Sequence, residues 1–179
     1  WLRDMQKIKL DEDVVKELVT KFLLSKPNGN WHEDRTKTAD LHGHGVDIKF
    51  CGGKRNSEFF LIECKGKSYA KSARSINRQN SWVYALGQII KRMDTKRIIS
   101  SGAHKGEVNH AYKYGLALCD ESARVALYSI PKEIAKVLNL HIFSVNEYGE
   151  VIQFTPSKFG EKYELQDFFL HPLEEYENL

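Results

Sequence analysis

Gly45-Val46-Asp47-Ile48-Lys49-Phe50 and, after a polar turn, Phe59-Phe60-Leu61-Ile62-Glu63-Cys64-Lys65 are the stretch on which the reading of this chain turns. Two strand-like runs flank Cys51-Gly52-Gly53-Lys54-Arg55-Asn56-Ser57, which predicts a hairpin with a loop longer than a tight turn. Val46, Ile48 and Phe50 alternate with Asp47 and Lys49, and Phe60, Ile62 and Cys64 alternate with Phe59, Leu61, Glu63 and Lys65. Side chains on a strand alternate between faces, so Glu63 and Lys65 are expected on one face and Cys64 on the other. A carboxylate and an ammonium closing an apolar strand cost free energy unless they are paired or bound.

With Asp47 from the neighbouring strand, the set is two carboxylates and a lysine. Two close carboxylates repel each other and favour a hard divalent cation between them. Mg²⁺ takes one or two carboxylates, keeps several waters and meets substrate phosphates. A lysine beside it can hold or activate an attacking water and stabilise phosphate charge. The bland counter-reading is an exposed ion-pair edge, since any surface strand can end in Glu-x-Lys. The apolar run Phe59–Ile62 directly before Glu63, the aspartate on the preceding strand and the helix-like segments on both sides favour the site.

Asp47 followed by Glu63-Cys64-Lys65 resembles the PD-(D/E)XK motif of the restriction-endonuclease-like nuclease superfamily. The resemblance covers roughly the first hundred residues and is sharpest from Asp47 to Lys65, with Val46 standing where the motif has proline. It implies an α/β domain with a three-layer core, a central mixed β-sheet flanked by helices. It also implies metal binding by Asp47, Glu63 and the backbone carbonyl of Cys64, with Lys65 acting on the water. A glutamine on the following helix often supports such a site: Gln79 is the first choice and Gln88 the second, against a structural reading as a core-edge amide. A supplementary acid on the first helix would be Glu12 or Glu17. Glu17 falls almost opposite the apolar stripe, and helix solubility is the better reading of both.

The 179 residues, 41% of them hydrophobic, are enough for one domain with an ordinary core, spanning 1–179 with the motif core in 11–120. The start at Trp1 leaves open that this is part of a longer chain. No apolar run is long enough for a membrane helix and no secretory signal is visible. Three cysteines without paired spacing fit a reducing cytoplasm better than a disulfide framework. Net charge is only +3, but Lys65–Arg97 carries nine basic residues and the single acid Asp94, whereas Glu161–Leu179 carries six acids and one lysine. The basic stretch suits phosphate, with Lys67, Lys71, Arg74 and Arg78 as positioning contacts that do not read sequence. The counter-reading is a solvated charged face.

Elsewhere, residues 11–25 predict a first helix, capped by Asp11, with Val14, Val15, Leu18, Val19, Phe22 and Leu23 on one stripe. Residues 31–45 suggest a loop or short irregular strand. His42 and His44 with Cys51 or Cys64 invite zinc, but ligand spacing argues against it. Ser75–Met93 predicts a second helix with Ile76, Trp82, Val83, Leu86, Ile89, Ile90 and Met93 inward, and Gln88, Lys91 and Arg92 outward. Then come a short strand at 97–101, a helix at 107–113, a strand at 114–119, an apolar run at 125–130 and a helix at 132–138 begun by Pro131. A hairpin is expected from 141–145 and 150–154, and Phe168, Phe169 and Leu170 are expected to dock on the body. Residues 121–179 complete the sheet or a recognition surface. The expected function is a Mg²⁺-dependent endonuclease acting on DNA, with Mn²⁺ as substitute, RNA not set aside, and a homodimer needed to cut both strands together. The alternative is a non-catalytic nucleic-acid-binding module on a nuclease-like scaffold. A folded interaction protein with no nucleic acid is a third reading.

Overall fold

In the computed structural model, residues 6–25, 30–33, 46–52, 58–69, 79–93, 102, 103, 105, 106 and 112–177 are described. Strands β1 (His32–Glu33), β2 (Ile48–Gly52) and β3 (Glu58–Lys65) are antiparallel neighbours. Ile48 pairs with Ile62 and Phe50 with Phe60, so both strands put the same apolar set on one face. Cys51 and Gly52 belong to β2 rather than to the loop, and Asp47 stands one residue ahead of the strand. Strand β1 is the short strand that residues 31–45 allowed.

Strands β4 (Tyr112–Cys119) and β5 (Leu140–Val145) continue parallel to β3, and β6 (Val151–Phe154) closes antiparallel to β5. The spatial order is β1-β2-β3-β4-β5-β6. Helices cover both faces of this mixed sheet, which makes the three-layer α/β fold expected from the sequence. Among the described residues no helix is long and apolar enough to cross a membrane.

One face belongs to helix α1 (Glu12–Ser25). Asp11 Oδ1 accepts the Val14 amide at 3.0 Å and fixes its start. Val15, Val19 and Leu23 are fully buried against Ile48, Phe50, Phe60, Ile62, Cys64 and Phe143. Each such side chain contributes about 1.5–3 kcal/mol of burial. The other face takes α2 (Ser81–Arg92), α3 (Asp120–Ser129) and α4 (Lys132–Leu138). There Ala85, Ala123, Ala126 and Ala135 bring the helices close over Tyr114, Leu116, Leu118 and Ile142.

Several expectations shift in detail. The inward face of α2 is centred on Ala85 and Ile89, while Val83 and Ile90 are each 49% exposed. Alanine gives no strong apolar signal, so the sequence places the stripe out of phase. Tyr112 and Lys113 open β4 instead of ending a helix. Residues 97–101 and 107–111, and Ile76, lie outside the described residues. The apolar run 125–130 falls on α3 and its exit, and α4 follows Pro131 as expected. The β5–β6 hairpin is closed by Asn146, whose Oδ1 accepts the amides of Tyr148 and Glu150. Phe168 docks as expected, but Leu170 is 62% exposed. Its amide is what holds it, donating to the buried Glu150 carboxylate that also accepts from Asn146 Nδ2 and Tyr176 Oη.

Gly115 in β4 lies under the Phe60–Phe143 ring pair, and a Cβ there would meet Ile62 Cγ1 and Phe143 Cε2 at 3.0 Å. Gly115→Val is therefore expected to lower the unfolding free energy by about 1–3 kcal/mol through overpacking. A urea titration reads this directly, and an unchanged midpoint would show that the rings give way.

Candidate functional site

The β2–β3 register sets the site. Because Ile48 pairs with Ile62, the next residues outward, Asp47 and Glu63, stand opposite each other on the same face. Glu63 is 2% exposed. Asp47 Oδ2 accepts the Cys64 amide at 2.7 Å, so this carboxylate continues the ladder where β2 has ended. Arg92, in the last turn of α2, donates its Nε–H to Glu63 Oε1 at 3.3 Å. Burial pushes the Glu63 carboxyl up to about 7; the charge of Asp47 and a hydrogen bond between the two carboxyls push the same way, and Arg92 pulls it back. The two carboxyls thus stand within hydrogen-bonding range of each other.

Lys65 takes a different direction. Its Nζ lies 3.2 Å from Glu12 Oε2 on α1, although strand parity assigns Lys65 to the face of Glu63. The chain after β3 explains this. A Cβ on Gly66 would fall 2.4 Å from the backbone of Asp11 and Glu12, and the Lys67 amide donates to the Leu10 carbonyl at 2.6 Å. The start of α1 is therefore clamped to the end of β3, and Glu12 is delivered to the lysine. Glu17 pairs with Lys21 on the solvent side.

The remaining candidates separate. Gln79 is exposed and precedes α2, and its carbonyl accepts the Ser122 hydroxyl at 3.2 Å. Gln88 is exposed on the outer side of α2. Arg92, which the misplaced stripe put outward, is the α2 side chain that reaches Glu63. It lies three residues after Ile89 and seven after Ala85, so counting the alanine as an inward residue would have found it. Lys67 forms an ion pair with Glu121 at 2.9 Å, and that bond raises its pKa. Lys71, Arg74, Arg78, His42 and His44 lie outside the described residues. Cys51 shares the face of Asp47, whereas the buried Cys64 thiol faces α1 and burial pushes its pKa well up. A zinc site using both thiols has no geometric basis.

Asp47 and Glu63 form a hard, all-oxygen donor pair. Among the described residues no group of three His, Cys, Asp or Glu is placed to hold a metal ion. Waters, substrate oxygens and the Cys64 carbonyl would have to complete a shell, which is the habit of Mg²⁺. Burial first, and the charge of Asp47 second, disfavour the ionised Glu63, and a cation between the two carboxylates would offset both. No family model, curated protein or solved structure matches this chain.

The Glu63 shift has a stability consequence of definite sign. The folded chain holds this proton more tightly than the unfolded chain, about 7 against 4.5. Stability is therefore lost as pH rises from 4.5 through 7, and the full cost of the charge is present above that. Glu63→Gln is expected to stabilise the metal-free protein at pH 8 by on the order of 2–3 kcal/mol and to lose that advantage near the unfolded-state value. Urea titrations at both pH values check it, and a constant difference would contradict the assigned shift.

Proposed function

We propose that this chain is a Mg²⁺-dependent nuclease that hydrolyses phosphodiester bonds in DNA, with a core of the restriction-endonuclease-like kind. The observation that carries this reading is the convergence of Asp47 and Glu63 on one face, close enough for Asp47 to help raise the Glu63 pKa. Asp47, Glu63 and the Cys64 carbonyl would hold the cation. When bound, Mg²⁺ would polarise the phosphate and stabilise the leaving oxygen. Arg92 orients Glu63 and favours its ionised form. Lys65, two residues beyond Glu63, would exchange its Glu12 partner for the attacking water or a phosphate oxygen at Nζ. Glu12 then acts through Lys65, holding the amine in place between turnovers. The free thiols of Cys51, Cys64 and Cys119 are in keeping with a reducing cytoplasm as the place of action.

One observation favours a second reading, a nucleic-acid-binding module without catalysis. Lys65 and Glu63 each already have a partner, Glu12 and Arg92, as they would in a purely structural network. Incubation with plasmid in Mg²⁺ or in chelator separates the readings. We expect nicking in Mg²⁺, none in chelator, and a loss of at least about 100-fold in rate for Glu63→Gln and for Lys65→Ala, with DNA affinity largely kept. Cleavage at the parent rate by Lys65→Ala would show that the lysine is misassigned. Binding without cleavage by the parent would favour the module.

A further inference from the structure

The face that carries Asp47 and Glu63 continues along β3 to an aromatic pair. Phe59 has the same parity as Leu61 and Glu63, and the register aligns Cys51, Phe59 and Tyr112 in one row across β2, β3 and β4. The rings of Phe59 and Tyr112 are stacked, with centroids 5.1 Å apart and planes 22° apart. Both are only half-buried, whereas Phe50 and Phe60 on the α1 face are sealed. The β2 neighbour of Phe59 is Cys51, a short and half-buried side chain, so β2 brings no bulky group against that flank of the ring. Four residue steps along the strand carry Phe59 to Glu63, about 13 Å. Between them lie Lys49 and Leu61, opposite each other in the same register.

Carboxylates, a lysine and a stacked aromatic pair thus follow one another along a single face. A duplex keeps its base faces covered by neighbouring pairs, whereas an unpaired strand offers them to a ring. Base–aromatic stacking contributes about 1–3 kcal/mol per base and tolerates any sequence. We propose that Phe59 and Tyr112 form a stacking platform for an unpaired nucleobase, so that the substrate of the Asp47–Glu63 site is single-stranded or locally unpaired nucleic acid. This rests on the nuclease reading above and narrows it: the phosphate to be cut lies at the carboxylates, and a base a short stretch of strand away is gripped by Phe59.

The test uses the Glu63→Gln chain in Mg²⁺, so that binding is read without cutting, with a labelled single-stranded oligonucleotide and its duplex as probes. Phe59→Leu in this background is expected to weaken single-strand binding about tenfold and duplex binding less than about twofold. An abasic site moved along the oligonucleotide should find one position where loss of the base costs the same factor, and Phe59→Leu should erase that dependence. An abasic series that is flat at every position overturns the platform and leaves the pair as a cross-strand stabiliser of the sheet. Equal weakening of both probes by Phe59→Leu overturns it as well. Should Phe59→Leu not fold, the abasic series on the Glu63→Gln chain alone decides. If the parent nicks plasmid while its Glu63→Gln form gives a flat series, only the platform is lost, whereas a parent that neither cuts nor binds either probe loses the nuclease reading too.

Discussion

Repulsion between two carboxylates that cannot move apart is the constraint on which this end of the molecule depends. Asp47 is fixed by the Cys64 amide and Glu63 by its place on a central strand. Their separation is dictated by the hairpin register, and that register is dictated by Ile48, Phe50, Phe60 and Ile62 on the opposite face. Slipping β2 by one residue against β3 would turn Ile48 and Phe50 off the face they share with α1 and would separate the acids. Burial of the apolar set is worth several times the electrostatic cost, so the acids stay together.

The same coupling explains why α1 matters beyond its apolar stripe. Its first turn lies against Gly66, and the glycine is required because the backbones touch there. This contact carries no chemistry, yet it sends Lys65 toward Glu12. Helix α2 approaches from the other face, beginning at Ser122, whose hydroxyl accepts the Trp82 amide, and arriving at Glu63 with Arg92. Three separate segments therefore meet at the end of the β2–β3 hairpin, each held by packing remote from the charges.

What the sequence discloses follows from which signals are local. Period-two alternation is local, so the hairpin, the shared face of Asp47 and Glu63 and the inward thiol of Cys64 could all be read. The α1 stripe was legible because valine and leucine mark it without ambiguity. The α2 stripe was not: Val83 and Ile90 are apolar but exposed, and Ala85 is buried but weakly apolar, so the wheel turned by enough to hide Arg92. Lys65 keeps the face that parity gives it, but its ion pair could not be read from the strand. Parity fixes where a Cβ points, but a lysine stem is long enough to follow a partner, and Glu12 is 53 residues away in sequence. Gln79 is helical but stands before the turn at Asn80, ahead of α2, so the wheel of Ser81–Arg92 does not fix the direction of its side chain.

Charge balance at the hairpin end gives the arrangement its chemical direction. Lys65 with Glu12 and Lys67 with Glu121 are each neutral, as is Lys7 with Glu147 at the turn after β5. Asp47 and Glu63 set two carboxylates beside the one guanidinium of Arg92, which pairs with Glu63, so among the described groups one carboxylate is in excess where Glu63 is sealed from water. Among the described residues, a proton held on Glu63 relieves that excess. A divalent cation would relieve it more completely and leave one positive charge over, facing outward along the side of the sheet that carries Lys49 and Phe59. A phosphodiester bears the single negative charge that would close the balance. On the proposed reading the cation and the phosphodiester would each be favoured by the charge that the other leaves uncompensated, with Arg92 holding Glu63 in place between them.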